Sequence, residues 1–409
     1  HELKIINDQG FAKYFLTMKA IADRARMDRL VGAGRGSAAG ALTSYVLGIT
    51  QVDPIRFGLL FERFMSANQA KIGMPDIDYD VERPQEFKEK LIEEWGADTV
   101  VPITNWNTLK LRSLIKDISK FYDIPYSEVN KVTGKMIREA TPQAKKDHGI
   151  TAGVYSPTFE ELKKYSESLK NFLQRNSQIS DHIDVLHGQI RSSSRHAGGV
   201  VIAENLNEHM PLIKTGGVTQ TPWSEGQNVR HLEPMGFIKF DILGLTTLEM
   251  INGAITHILK RHHNIEKPAF KDIREYYDKH LHPDVIDFDD QEVCENIFQK
   301  GKFGGVFQFS ESGAQNFCKN VVPVSLSDLA MVTSVYRPGP LGAKVDRSYL
   351  EAKRHPDMVT YEHPIIEEVL GDNYGFIIFQ EDIAELAHKL GDNITLDEGN
   401  KLRKLLIKK

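Results

Sequence analysis

Asp76, Asp78 and Asp80 alternate with Ile77, Tyr79 and Val81 in the stretch IGMPDIDYDV, residues 72–81. In an extended segment, side chains i, i+2 and i+4 share a face. The pattern therefore puts three carboxylates on one side and the apolar side chains on the other. Carboxylates a few ångströms apart repel one another and raise each other's pKa. A cation relieves that repulsion, and an all-oxygen donor set suits Mg²⁺ or Mn²⁺. The same alternation also fits a solvated edge strand whose charges oppose aggregation. This stretch alone does not separate the two readings.

The glycine-rich stretch VGAGRGSAAG, residues 31–40, lacks the Gly-Lys-Ser/Thr ending of a Walker loop and the spacing of a dinucleotide fingerprint. It still has the parts of an anion cradle. Gly32, Gly34 and Gly36 let backbone N–H groups come close to a ligand, Arg35 offers a bidentate fork, and Ser37 offers a hydroxyl. The apolar helix expected over ALTSYVLGI would add its positive N-terminus. A flexible loop capped by Ser37 is the alternative. In GFIKFDILG, Lys239 and Asp241 share a strand face. Alone they would be a surface ion pair of little worth. Beside the aspartates, Asp241 can supply a further metal ligand from a neighbouring strand, with Lys239 holding negative charge next to it. Aspartates on two strands, a metal and a phosphate cradle together describe two-metal phosphoryl transfer.

These groups need elements to hold them. Phe11, Tyr14, Phe15, Met18, Ile21 and Ala22 give residues 10–29 a helical period. Residues 108–175 read as helical and lysine-rich. Strand composition returns in HAGGVVIAE (196–204) and FIKFDILGL (237–245), and helices and loops dominate from 247. The simplest organisation is a mixed α/β unit, interrupted by a helical insertion and followed by a second, mainly helical domain. Within the insertion, Leu111, Leu114, Ile115, Ile118 and Tyr122 mark a buried helix face, and Arg112, Lys116 and Lys120 recur on another. Lys131, Lys135 and Arg138 add to that charge, which is either a solvated face or a track for phosphates.

The chain of 409 residues has room for two or three domains, and 41% apolar with 26% charged residues is ordinary for a folded protein. There is no apolar run long enough to span a membrane and no signal peptide. Cys294 and Cys318 lack metal-ligand spacing and fit a reducing, cytoplasmic setting. A net charge of −5 neither announces nor excludes nucleic acid, because phosphate contacts depend on local patches. A start at His1 without an initiator methionine and an end in KLRKLLIKK fit a core cut from a longer polypeptide.

Taken in order, Gly34–Ser37, Pro75–Asp80, His196–Val201, Lys239–Leu245, Arg337–Leu341 and Tyr374–Glu381 resemble the motif series of the bacterial family C replicative DNA polymerases, the DNA polymerase III α subunits. The resemblance covers nearly the whole chain. It implies an α/β (α+β) fold with a nucleotidyltransferase palm of the polymerase β type at 1–107 and 191–246. A helical thumb would be inserted at 108–190, and mainly helical fingers would occupy 247–409. By this similarity Asp76, Asp78 and Asp241 are catalytic ligands of two Mg²⁺ ions, with Mn²⁺ as a substitute. Asp80 is not among them; at 3.3 Å per residue it lies about 13 Å from Asp76, and it either supports the site or is solvated. Arg35, Gly36, Ser37, Lys239 and, from the fingers, Arg337 would bind the triphosphate; without the resemblance Arg337 reads as a turn residue before prolines.

The implied substrates are primer-template DNA, tracked by Arg112, Lys116 and Lys120, and deoxynucleoside triphosphates. A sliding clamp or replisome proteins would bind through segments this chain lacks, and no membrane is involved. His196, in SSSRHAGGVV, lies in a motif of the series, but no role for it follows; RHH at 261–263 reads as a solvated helix end. The chain departs from the family pattern in having no hydrolase domain before the palm. No clamp-binding peptide, tandem helix-hairpin-helix or oligonucleotide-binding barrel follows. The stretch 217–236 is unusually composed, and RKLLIKK replaces a more usual Arg-Arg-Ala-Met-Gly-Lys-Lys ending. These differences fit a divergent member, for instance a phage-borne one, or a truncated core. A metal-dependent nuclease would have no use for a triphosphate cradle, and a non-catalytic nucleic-acid-binding module would not need two aspartate strands.

Overall fold

Four strands make the sheet that carries the acids. The computed structural model describes residues 1–66, 74–150, 155–226, 229–337, 341 and 344–407. Its strands are β1 (Asp78–Val81), β2 (Val100–Thr108), β3 (Ile190–Ile202), β4 (Ile213–Thr215), β5 (Val218–Gln220) and β6 (Lys239–Gly244). The main sheet has the order β1-β6-β3-β2, and β4 and β5 form a separate antiparallel pair. β1 runs parallel to β6 with Asp78 opposite Asp241, and β3 runs antiparallel to β6 with Gly199 opposite Asp241.

The alternation expected at 76–81 holds. Ile77, Tyr79 and Val81 are buried, as are Phe240 and Ile242 of β6, so Asp78, Asp80, Lys239 and Asp241 share the other face of the sheet. The strand itself begins only at Asp78, with Asp76 and Ile77 leading into it. Beneath it lie Tyr14, Phe15, Met18, Ile21 and Ala22 of the helix Ala12–Arg26, and Phe87 and Leu91 of the helix Pro84–Trp95, in one core. Pro84 at the first helical turn costs no hydrogen bond there.

The contact pattern divides the chain into two compact units. The first comprises 1–104, 195–336 and 347–409, and so holds the sheet's acids together with the C-terminal helices. Those helices include Thr246–His262, Phe270–His280, Gln380–Leu390 and Leu396–Ile407. The second comprises 105–194 with 337–346. It is built of the helices Leu111–Phe121, Tyr126–Asp147, Phe159–Tyr165, Glu167–Arg175 and Ser177–Leu186. Its core contains Leu114, Ile115, Ile118, Met136, Phe172 and Ile183. The second unit opens and closes on paired backbone, Leu109 N–H donating to Gln189 O (2.8 Å) and Gly188 N–H to Leu109 O (3.1 Å).

One expectation holds only in part. Within ALTSYVLGI (41–49) the helix is confined to five residues, Leu42–Val46, and a separate 3₁₀ turn, Ser37–Gly40, precedes it. Ala41 between them takes extended angles (φ −101°, ψ 121°), which breaks any continuous helix. No helix among the described residues is long and apolar enough to cross a membrane.

Candidate active site

Register places Asp78 beside Asp241, and the lead-in to β1 adds Asp76. One carboxylate oxygen from each lies within 4.8 Å of the others. Asp241 is buried; its Oδ2 accepts from Lys239 Nζ at 2.5 Å, while its Oδ1 is buried with no partner among the described residues. A buried carboxylate oxygen without a donor is costly. Together with an all-oxygen donor set this fits a hard divalent cation. Burial pushes the Asp78 carboxyl up to about 6, with the charges of Asp76 and Asp241 adding to it. Burial also raises Asp76, with Lys239 opposing and Asp241 adding. Burial works against the Lys239 ammonium, yet its bond to Asp241 and the fields of Asp76 and Asp78 leave its pKa raised. One ammonium thus sits among three carboxylates.

Asp80 does not join the triad. It is 8% exposed and accepts from Arg35 Nη1 at 3.0 Å, so it is buried and paired rather than solvated. Burial raises its pKa and the Arg35 pair opposes the rise.

The glycine-rich loop lies directly on the acidic face. Gly32 N–H donates to Asp80 O (2.9 Å) and Val31 bridges Val81 antiparallel, so the chain before the loop runs alongside β1. A Cβ on Gly32 would meet Asp80 Cβ at 2.7 Å. Gly36, at φ +67°, would place a Cβ 2.8 Å from Asp78 Oδ2. Only glycine allows that approach with that backbone. Ser37 begins a single 3₁₀ turn and caps nothing, and the first N–H groups of the helix Leu42–Val46 donate to the Glu2 carboxylate (Leu42 at 2.9 Å, Thr43 at 2.7 Å), so the helix N-terminus expected from the sequence is already occupied. The loop's positive character rests on its N–H groups and on Arg35.

Several supporting side chains carry no sequence signal of their role. Tyr14 reads as a core position of an amphipathic helix, yet its hydroxyl accepts the Ile77 N–H at 3.0 Å, between the two triad aspartates of one chain segment. Burial drives its phenol pKa well up. Glu233, from the unusual 217–236 stretch, accepts the Met74 N–H at 2.8 Å and pairs with Arg230 at 2.9 Å. Met74, Asp76, Arg230, Glu233 and Lys239 border a pocket of about 140 Å³. Tyr14→Phe removes the Ile77 acceptor and is expected to cost about 1–3 kcal/mol, read as a shift in denaturation midpoint. A shift below about 0.5 kcal/mol would mean that the bond contributes little.

His196 Nδ1 accepts the N–H groups of Gly199 (2.7 Å) and Gly198 (3.3 Å), so the neutral ring carries its proton on Nε2. Burial lowers its pKa. Lys88, almost fully buried, donates to Ala197 O at 2.6 Å and ties its helix to β3.

In the second unit, Arg112 and Lys120 are exposed on Leu111–Phe121, and Lys131, Lys135 and Arg138 on Tyr126–Asp147. Lys116 differs: it donates to Asn130 Oδ1 at 2.8 Å and lies over the Tyr126 ring at 5.1 Å. The even stripe expected from the spacing is therefore interrupted, because Lys116 is within reach of a polar neighbour on the next helix. Arg337 is exposed and falls in the segment grouped with this unit; 338–340 of its motif lie outside the described residues.

Comparison with known proteins places the sequence in a family. Residues 1–244 match the bacterial DNA polymerase III alpha NTPase domain, and 248–409 match the bacterial DNA polymerase III alpha subunit finger domain. Over its whole length the chain is 33% identical to the DNA polymerase III subunit alpha of Aquifex aeolicus. The figure is 32% for that of Staphylococcus aureus (strain MRSA252) and 34% for that of Borreliella burgdorferi. It covers 35%, 35% and 33% of those proteins, so it spans about a third of the length of the curated relatives it matches. The chain belongs to the bacterial DNA polymerase III alpha-subunit family.

Proposed function

We propose that this chain carries the nucleotidyl-transfer core of a DNA-directed DNA polymerase. The observation that supports it most is the clustering of Asp76, Asp78 and Asp241 under a glycine loop that touches Asp78. In this reading residues 1–107 and 191–246 are the palm, 108–190 the thumb and 247–409 the fingers. The three aspartates hold two Mg²⁺ ions, with Mn²⁺ as a substitute. When bound, such ions activate the primer 3′-hydroxyl and stabilise charge on the leaving oxygens.

The chain's own residues do the rest. Asp76, Asp78 and Asp241 would hold the ions, and the register of β1 on β6 keeps Asp78 beside Asp241. Gly36 and its neighbours admit the triphosphate to the acidic face, and Arg35, Ser37, Lys239 and Arg337 compensate its charge. The primer oxygen attacks the α-phosphorus, its P–O bond forms as the α–β P–O bond breaks, and pyrophosphate leaves. Lys239, already bonded to Asp241, stands ready to meet the negative charge of the triphosphate.

Primer extension with one labelled deoxynucleoside triphosphate and Mg²⁺ tests the reading. Addition of one nucleotide is expected; shortening of the primer instead would favour a nuclease, and neither would favour a binding module. Replacing Arg112, Lys116 and Lys120 with Gln is expected to lower primer-template affinity and to flatten log Kd against log salt. With Lys116 held by Asn130, the slope should fall by about two charges' worth, not three. An unchanged slope would assign the stripe to solvent.

A further inference from the structure

Arg35 has two neighbours that the phosphoryl-transfer scheme does not use. Its Nη1 donates to Asp80, and its guanidinium carbon lies 5.9 Å from the centre of the Phe307 ring. Asp80 is buried on β1, whereas Phe307 is 50% exposed, an unusual state for a phenylalanine. The segment that presents Phe307 is well anchored. Phe303 and Phe309 stack at 5.3 Å on either side of it, Thr247 Oγ1 donates to Gly305 O at 3.2 Å, and Gln308 takes a left-handed φ of +66°. Phe303 and Phe309 are buried, so the exposure of Phe307 between them comes from the loop's geometry. A guanidinium has five N–H groups; the carboxylate takes one, and the aromatic ring lies within cation–π reach of the ion. Among the described residues the Arg35 fork hydrogen-bonds to Asp80, which leaves the remaining donors for a second anion.

We propose that Asp80 and Phe307 are positioning residues that hold the Arg35 guanidinium to receive the terminal phosphates of the triphosphate. The inference rests on the polymerase reading above. Asp80 anchors one edge of the fork from the acid strand, and Phe307 confines its plane from the finger-domain segment. Neither touches the reacting atoms. Both act by lowering the freedom that Arg35 must lose when the anion binds. The pair also connects the glycine loop to the finger segment through one cation, so a phosphate on Arg35 is felt by the loop that carries Phe307.

The test is steady-state incorporation by the full chain, with inorganic pyrophosphate as the competing product, for Phe307→Leu, Phe307→Tyr, Asp80→Asn and Arg35→Gln. Phe307→Leu and Asp80→Asn are each expected to raise the KM for the triphosphate and the inhibition constant for pyrophosphate by roughly three- to tenfold, with kcat changing less. Phe307→Tyr, which keeps the aromatic face, should restore both constants, a recovery that a merely structural role would not require. In an Arg35→Gln background, Phe307→Leu should add nothing. Unchanged constants in Phe307→Leu and Asp80→Asn, or full additivity with Arg35→Gln, overturn the proposal. A wild-type chain that adds no nucleotide overturns the reading beneath it instead, so the two failures are distinguishable.

Discussion

Asp241→Asn should cut single-turnover nucleotide incorporation by roughly a thousandfold, because a lost ligand forfeits several kcal/mol of charge stabilisation in the transition state. Asp76→Asn and Asp78→Asn should do the same, whereas Asp80→Asn keeps measurable activity. The stability of the metal-free protein should move the other way. Three carboxylates with oxygens within 4.8 Å are compensated by one ammonium, so removing one negative charge relieves repulsion. Lys239 still has the fields of Asp76 and Asp78, and the new amide oxygen can still accept from it. Thermal unfolding in chelator should find Asp241→Asn as stable as wild type or more so. A magnesium titration without DNA should stabilise it less than wild type. If the variant is clearly less stable in chelator yet gains equally from magnesium, Asp241 serves as an ion-pair partner of Lys239 and the cluster is not a metal site.

Lys239→Met probes the same balance from the cation's side. It leaves Asp241 buried with neither oxygen paired, and breaking a largely buried ion pair by removing one partner is strongly destabilising. Because Lys239 keeps some exposure, about 2–3 kcal/mol is expected at pH 8 in chelator. The loss should depend on pH. The Asp78 carboxyl, at about 6, is raised above its ordinary 3.8. Its contribution to stability is therefore fully present below about 3.8 and lost as pH rises through 6. Lys239 lowers that value in the wild type, so the variant's window lies higher still. Denaturant unfolding from pH 5 to 8 should show the gap between variant and wild type narrowing as pH falls, because a proton takes over from the ammonium. Saturating Mg²⁺ should narrow it at pH 8 as well. A gap equal at pH 5 and pH 8 would show that Lys239 is not there to balance the carboxylates.

Local pattern and spatial arrangement divide what could be read in advance. Alternation at 76–81 and the spacing of Lys239 and Asp241 are strand properties, and the structure puts these side chains on the face they require. The buried face of Leu111–Phe121 follows equally from its helical period. What escaped depends on contacts between segments far apart in the chain. Arg35 and Asp80 are 45 positions apart, and Tyr14 and Ile77 are 63 apart; neither pair leaves a mark on local periodicity. The glycine stretch was readable as a place of close approach, but not what it approaches. The short 3₁₀ turn at Ser37 was missed because small residues tolerate several backbone paths.

The ladder at Leu109 and Gln189 has a bearing on ancestry. The stretch 105–194 contributes its own apolar core, and near its two ends Leu109 pairs through the backbone with Gly188 and Gln189. Adjacent attachment points let a host accept or lose such a body without redrawing its sheet. A descendant could therefore exchange this stretch for one of different length or charge in a single recombination. Its exposed basic residues, Arg112 and Lys120 among them, would then be free to diversify on their own clock, while Asp78 and Asp241 stay locked together by strand register.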